Sequence, residues 1–118
     1  MAESKLRNLS MDFSVSVIRL CDKVRGHASL KNQLERAASS IGANIYEANY
    51  AQSRADFILK LHIALKECAE SEYWLELLID AGFYSDPAAL ELCREIKRLL
   101  IASLNTAKGG AHAEAKLL

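Results

Sequence analysis

Apolar residues recur every three or four positions through most of this chain, and the strict alternation of a strand is nearly absent. Phe13, Val17, Leu20, Cys21 and Val24 fall on one face, so the spacing predicts a first helix from about Ser10 to Val24. Ser10 or Asp12 is suited to cap its start, and Gly26 to end it. A second stripe, Leu30, Leu34, Ala37, Ile41, Ile45 and Ala48, predicts a helix from about Leu30 to Tyr50, with Ser29 as its N-cap. The small side chains of Ala37, Ala38 and Ala48 let a neighbouring helix come close. Gly42 costs this helix about 1 kcal/mol against alanine, so either close packing offsets the cost or the helix bends there.

Ser53-Arg54-Ala55-Asp56 has the form of a capping box with Asp in the last place, and it opens a third helix that runs to Ala81, before Gly82. At 1.5 Å per residue this helix is roughly 40 Å long. Its inner stripe is Phe57, Leu61, Ala64, Leu65, Cys68, Leu75 and Ile79. Its other side is also apolar at Leu59, Ile63, Trp74 and Leu77, and a single core leaves that side wet, so these four are the expected oligomer interface. Asp86-Pro87 starts a fourth helix, with Leu92, Cys93, Ile96, Leu99, Leu100 and Ser103 facing inward, which fades near Asn105. Residues 1–105 are thus expected to form one bundle, and 106–118, interrupted by Gly109-Gly110, a flexible tail. Short connections make sequential helices antiparallel, so the expected fold is all-α: an up-and-down antiparallel four-helix bundle.

Composition narrows the function. In 118 residues, 15 Lys and Arg balance 15 Asp and Glu, which argues against a strongly basic arm but leaves local patches open. Cys21, Cys68 and Cys93 are far apart, odd in number and inside helical patterns, which fits neither a disulfide framework nor a metal knuckle. A reducing cytoplasm is the expected compartment. The N-terminal stretch lacks the apolar core of a signal peptide, and no apolar run approaches the ~20 residues of a membrane span.

Candidate chemistry is sparse. Glu72 interrupts the inner stripe of the third helix and needs a partner, because an isolated buried carboxylate is costly. Arg36, Asn44 and Glu47 line the edge of the second helix's stripe, so a polar network linking the two helices is expected, with Glu72 near Asn44 or Arg36. Arg19 with Lys23, and Arg94, Lys97 and Arg98, are grouped at helical spacing and are the candidate nucleic-acid contacts. Glu67 and Glu70 share a face but have no matching pair on a neighbouring helix, so a magnesium site of the kind used by helical nucleotide hydrolases is not expected. No His and Cys share ligand spacing, and no phosphate loop or activated nucleophile is present, so the expectation is no metal, no cofactor and no enzyme.

Ala43-Asn44-Ile45, Glu47, Ser53, Asp56-Phe57-Ile58 and Leu61, followed by Ile63-Ala64-Leu65-Lys66-Glu67 and Glu72-Tyr73-Trp74-Leu75, resemble the bacterial four-helix-bundle family, also called the intervening-sequence protein family. The resemblance spans about Phe13 to Tyr84. It implies an up-and-down bundle that assembles into a ring-like homopentamer. It carries over no catalytic residues, and Asn44, Glu47, Ser53 and Asp56 carry over as structural only. The similar accessory protein of diversity-generating retroelements binds a reverse transcriptase and is thought to contact nucleic acid through a basic surface. Here the family's Gly-x-Gly-Arg-like turn is replaced by Ala48-Asn49-Tyr50-Ala51-Gln52, and its helix-2 proline by Gly42. The resulting expectation is a self-assembling scaffold or binding module contacting RNA or an RNA-handling protein. The alternatives are a purely structural docking module and a metal-dependent nucleotide hydrolase.

Overall fold

The 3.6-residue period is realised as four helices: α1 (Ala2–Lys23), α2 (Ala28–Ala48), α3 (Arg54–Asp80) and α4 (Ala88–Ala107). The structure is a computed structural model that describes residues 2–109, with side chains from residue 5 onward. Contacts between neighbouring helices fix their directions, since residue numbers rise on one helix as they fall on the next. On α1 and α2, Ser10 lies against Gly42, Ser14 donates to the Ala38 carbonyl, and Lys31 donates to the Val24 carbonyl. Glu47 pairs with Lys60, and Arg36 with Glu67, across α2 and α3. Arg54 binds the Ala107 carbonyl, and Cys68 meets Cys93, across α3 and α4. Each helix packs on two others, α1 on α2 and α4, and α3 on α2 and α4. This is an up-and-down antiparallel four-helix bundle.

The core is built from the predicted stripes. Phe13, Val17, Leu34, Ile41, Leu75, Ile96 and Leu100 are fully buried. On α3 the buried line is Leu61, Ala64, Cys68, Ser71, Leu75 and Leu78, while Phe57, Leu65 and Ile79 pack against it half-buried. At Gly42 α2 faces Ser10 of α1, and a Cβ there would stand 3.4 Å from Ser10 Oγ, an ordinary van der Waals contact, so the packing of α1 does not require the glycine.

Of the four helix starts, two are capped as expected and two are not. Ser53 does cap α3, its hydroxyl accepting from the Asp56 N–H at 3.1 Å. Asp86 Oδ1 accepts from the Ala88 N–H at 3.0 Å, the role expected of it before Pro87. Helix α1, however, does not begin at Ser10. It is helical from Ala2, and Leu6 is 1% exposed in the core. Ser10 sits inside the helix, where its hydroxyl donates back to the Arg7 carbonyl at 3.0 Å. Nor does Ser29 cap α2. That helix starts at Ala28 after a turn in which Gly26 (φ 71°) and His27 (φ 56°) are both left-handed. At its far end α4 continues to Ala107, slightly beyond the expected boundary, and 110–118 of the expected tail lie outside the described residues.

Candidate functional site

The polar side chains on the two flanks of α3 are tied down separately. On the α2 side, Arg36 Nη1 reaches Glu67 Oε2 at 3.0 Å, and its other terminal nitrogen binds Glu70. The same Glu70 oxygen accepts from Trp74 Nε1 at 3.0 Å. The indole N–H is the main cause that lowers the Glu70 pKa; burial opposes it, and Arg36 adds to the lowering. On the α4 side, Glu72 accepts from Lys97 Nζ and from Arg94 Nε, both at 2.8 Å, and Arg94 also reaches Glu76 at 2.8 Å. Lys97 and then Arg94 lower the Glu72 pKa.

The expected network is therefore corrected. Arg36 and Glu47 do link α2 to α3, but Glu72 turns to α4 and meets neither Arg36 nor Asn44. Asn44 stays within α2, donating to the Ser40 carbonyl at 2.8 Å and to its hydroxyl at 3.1 Å. Glu72 thus serves the α4 side of α3, and Glu67 and Glu70 the α2 side. Among the described residues, no three His, Cys, Asp or Glu side chains group as metal ligands, and Glu67 and Glu70 are both engaged by Arg36.

These pairings divide the basic candidates. Arg94 and Lys97 are absorbed by Glu72 and Glu76, so their charge is locally balanced. Among the described residues Arg19, Lys23 and Arg98 make no ion pair. Arg98 is exposed on α4. Arg19 and Lys23 stand one turn apart on α1 and line a groove of about 510 Å³ between α1 and the segment that joins α3 to α4. Phe83 and Tyr84 add aromatic surface to it, and Asp12 and Asp86 add carboxylates. The Phe83 ring meets the His27 ring at a centroid distance of 4.1 Å, tying the α3–α4 segment to the α1–α2 turn. Tyr84 Oη donates to the Leu75 carbonyl at 3.4 Å, and burial, then Asp86, pushes its phenol up to about 12. The groove was not legible from periodicity, because its two walls come from distant parts of the chain.

The expected interface residues occupy the outer half of α3. Leu59 is 55% exposed, while Ile63 and Leu77 are half-buried. Trp74 is less free than an interface anchor would be: it packs on the core and its N–H is used by Glu70. Its neighbour Tyr73, 58% exposed, is the aromatic ring on the open face. A second apolar line, unnoticed in the sequence, runs along the outside of α1 through Met11, Val15 and Ile18, spaced four and three apart and all exposed.

The class defined by these features is an all-α up-and-down bundle whose polar side chains chiefly join its helices. The chain belongs to the 23S rRNA-intervening sequence protein family, whose sequence model matches residues 2–102. It is similar to a crystal structure of a protein of unknown function from the S23 ribosomal protein family of Bacteroides thetaiotaomicron VPI-5482. The two share 40% identity over 89% of this chain and 99% of that one, with a TM-score of 0.83. No curated protein matches the chain. No helix among the described residues is long and apolar enough to cross a membrane.

Proposed function

We propose that this protein is a non-enzymatic, cytoplasmic, self-assembling bundle that serves as a scaffold or binding module and contacts RNA or an RNA-handling protein. The observation that carries self-assembly is the outer face of α3. Leu59 and Tyr73 are more than half exposed there, and Ile63 and Leu77 add apolar surface beside them. A face of this kind is removed from water when copies associate. A ring of five is the assembly that the family resemblance implies. Contact with RNA draws support from the description of the family, a 23S rRNA-intervening sequence protein, and from the cations Arg19, Lys23 and Arg98, which make no ion pair among the described residues. Repetition around a ring multiplies such weak contacts.

Light scattering behind a sizing column, with absorbance read at 260 and 280 nm, tests both parts. The expected result is a mass several times that of one chain, which Leu59→Asp with Tyr73→Asp returns to the monomer. A monomeric parent protein would overturn assembly. Excess absorbance at 260 nm on the protein peak supports RNA contact. Retention of a protein partner that is lost on mutating exposed apolar residues, with little effect of salt, would favour a pure docking module instead.

A further inference from the structure

We propose that the groove between α1 and the α3–α4 segment is a subsite for an unpaired ribonucleotide stretch, with Arg19 and Lys23 on the phosphates and Phe83 and Tyr84 facing a base. The inference deepens, and rests on, the reading that the protein contacts RNA. Four observations converge. The groove has a volume of about 510 Å³, within the roughly 300–1,000 Å³ of sites that hold ligands a few rings in size. Its two cations lie at i and i+4, about 5–6 Å apart at Cβ, and neither is spent on a carboxylate among the described residues. Its aromatic residues are held in place: Phe83 by the His27 ring and Tyr84 by the Leu75 carbonyl. Phe83 nevertheless keeps 38% of its surface in solvent, available to a base.

The carboxylates select the form of nucleic acid. Asp12 lies seven positions before Arg19 on the same wall, about 10 Å along the helix, and Asp86 closes the other side. A duplex laid along α1 would bring its continuous phosphates against Asp12. An unpaired strand can direct its phosphates to Arg19 and Lys23, leaving base amino groups and ribose hydroxyls, which are donors, for the carboxylates. Stacking on aromatic side chains beside a cationic track is the common means of holding single strands. The second basic set lacks this combination, since Glu72 and Glu76 already occupy Arg94 and Lys97.

The test is fluorescence anisotropy of the full chain with a fluorescein-labelled 12-nucleotide single-stranded RNA of mixed sequence, across a salt series. Arg19→Ala with Lys23→Ala is expected to weaken binding and to flatten the slope of log K against log salt by about 1.4, from roughly 0.7 per phosphate contact released. Phe83→Ala is expected to weaken binding at least about five-fold with the slope unchanged. Phe83→Leu, which keeps apolar bulk against His27 but removes the π face, guards against simple loosening of the turn and is expected to show the same loss. If the parent binds RNA and these variants bind equally well, or if Arg98→Ala alone takes the affinity, the groove is overturned while RNA contact stands. If the parent binds no RNA at low salt, RNA contact itself fails and the groove with it.

Discussion

Cys68 of α3 and Cys93 of α4 meet sulfur to sulfur at 3.6 Å inside the core, and each thiol lies within hydrogen-bonding distance of the other residue's backbone carbonyl. Both residues are essentially unexposed. The contact with Cys68, and then burial, raises the Cys93 pKa far above the usual thiol range, and burial pushes Cys21 up to about 11. Burial shields all three thiols from reagent, and the raised pKa values of Cys21 and Cys93 also withhold their reactive thiolate, so none of the three should react quickly with Ellman's reagent in the folded protein at pH 8. All three should react at the rate of unfolding. Fast labelling of one thiol in the native state would contradict this packing.

Glu72→Gln should destabilise the bundle by about 1 kcal/mol at neutral pH, a value at the low end for a hydrogen-bonded charge because Arg94 and Lys97 are partly solvated. Folding lowers the Glu72 pKa, so its stabilisation is complete above the ordinary value of 4.5 and is lost as pH falls through the lower folded value. Urea melts of parent and variant should therefore converge in acid. A difference that persisted unchanged well below pH 4.5 would count against the ionised pair.

Gly42→Ala should stabilise the protein by up to about 1 kcal/mol, which corresponds to a rise of up to roughly 4 °C in Tm for a domain of this size. Its new Cβ meets Ser10 Oγ at 3.4 Å, an ordinary contact. Gly42→Leu should do the opposite, because the larger side chain would wedge α1 from α2. A drop in Tm for the alanine variant would show that the seam has no slack.

Trp74 is the chain's one tryptophan, so emission reports on its surroundings alone. Its N–H donates to Glu70, whose carboxylate remains ionised to below 4.5. Emission should change as Glu70 is protonated in acid, at a pH where far-ultraviolet circular dichroism is still native. Glu70→Ala should abolish that step. Emission that follows only global unfolding would refute the link.

Leu6→Ala should cost about 2–4 kcal/mol by urea melt, as expected of a buried leucine. A near-neutral result would mean that the first turns of α1 contribute little.

The helix count, the cap at Ser53 and the core stripes were legible because each depends on local spacing and local hydrogen bonds. The start of α1 was also within reach, since Leu6, Leu9 and Phe13 continue its stripe. Ser10 misled because serine at a helix start and serine bonded back to a carbonyl look alike in sequence. The partner of Glu72 was not legible. Period alone locates the residue beside the stripe of α3 but not which neighbouring helix stands on that flank. The left-handed His27 was equally hidden, because a preference for Ser at N-caps pointed to Ser29.

The order of the helices also bears on how the molecule closes. The contacts of α1 with α2, α2 with α3, and α3 with α4 join successive segments and can form as hairpins, a topology that favours folding in microseconds to milliseconds. Only the seam between α1 and α4 unites opposite ends of the chain, and the groove of Arg19, Lys23 and Phe83 lies beside it. That cleft exists only once the circuit is complete. Whatever occupies it acts as a clasp between the first segment and the last, so occupancy and closure of the bundle favour one another.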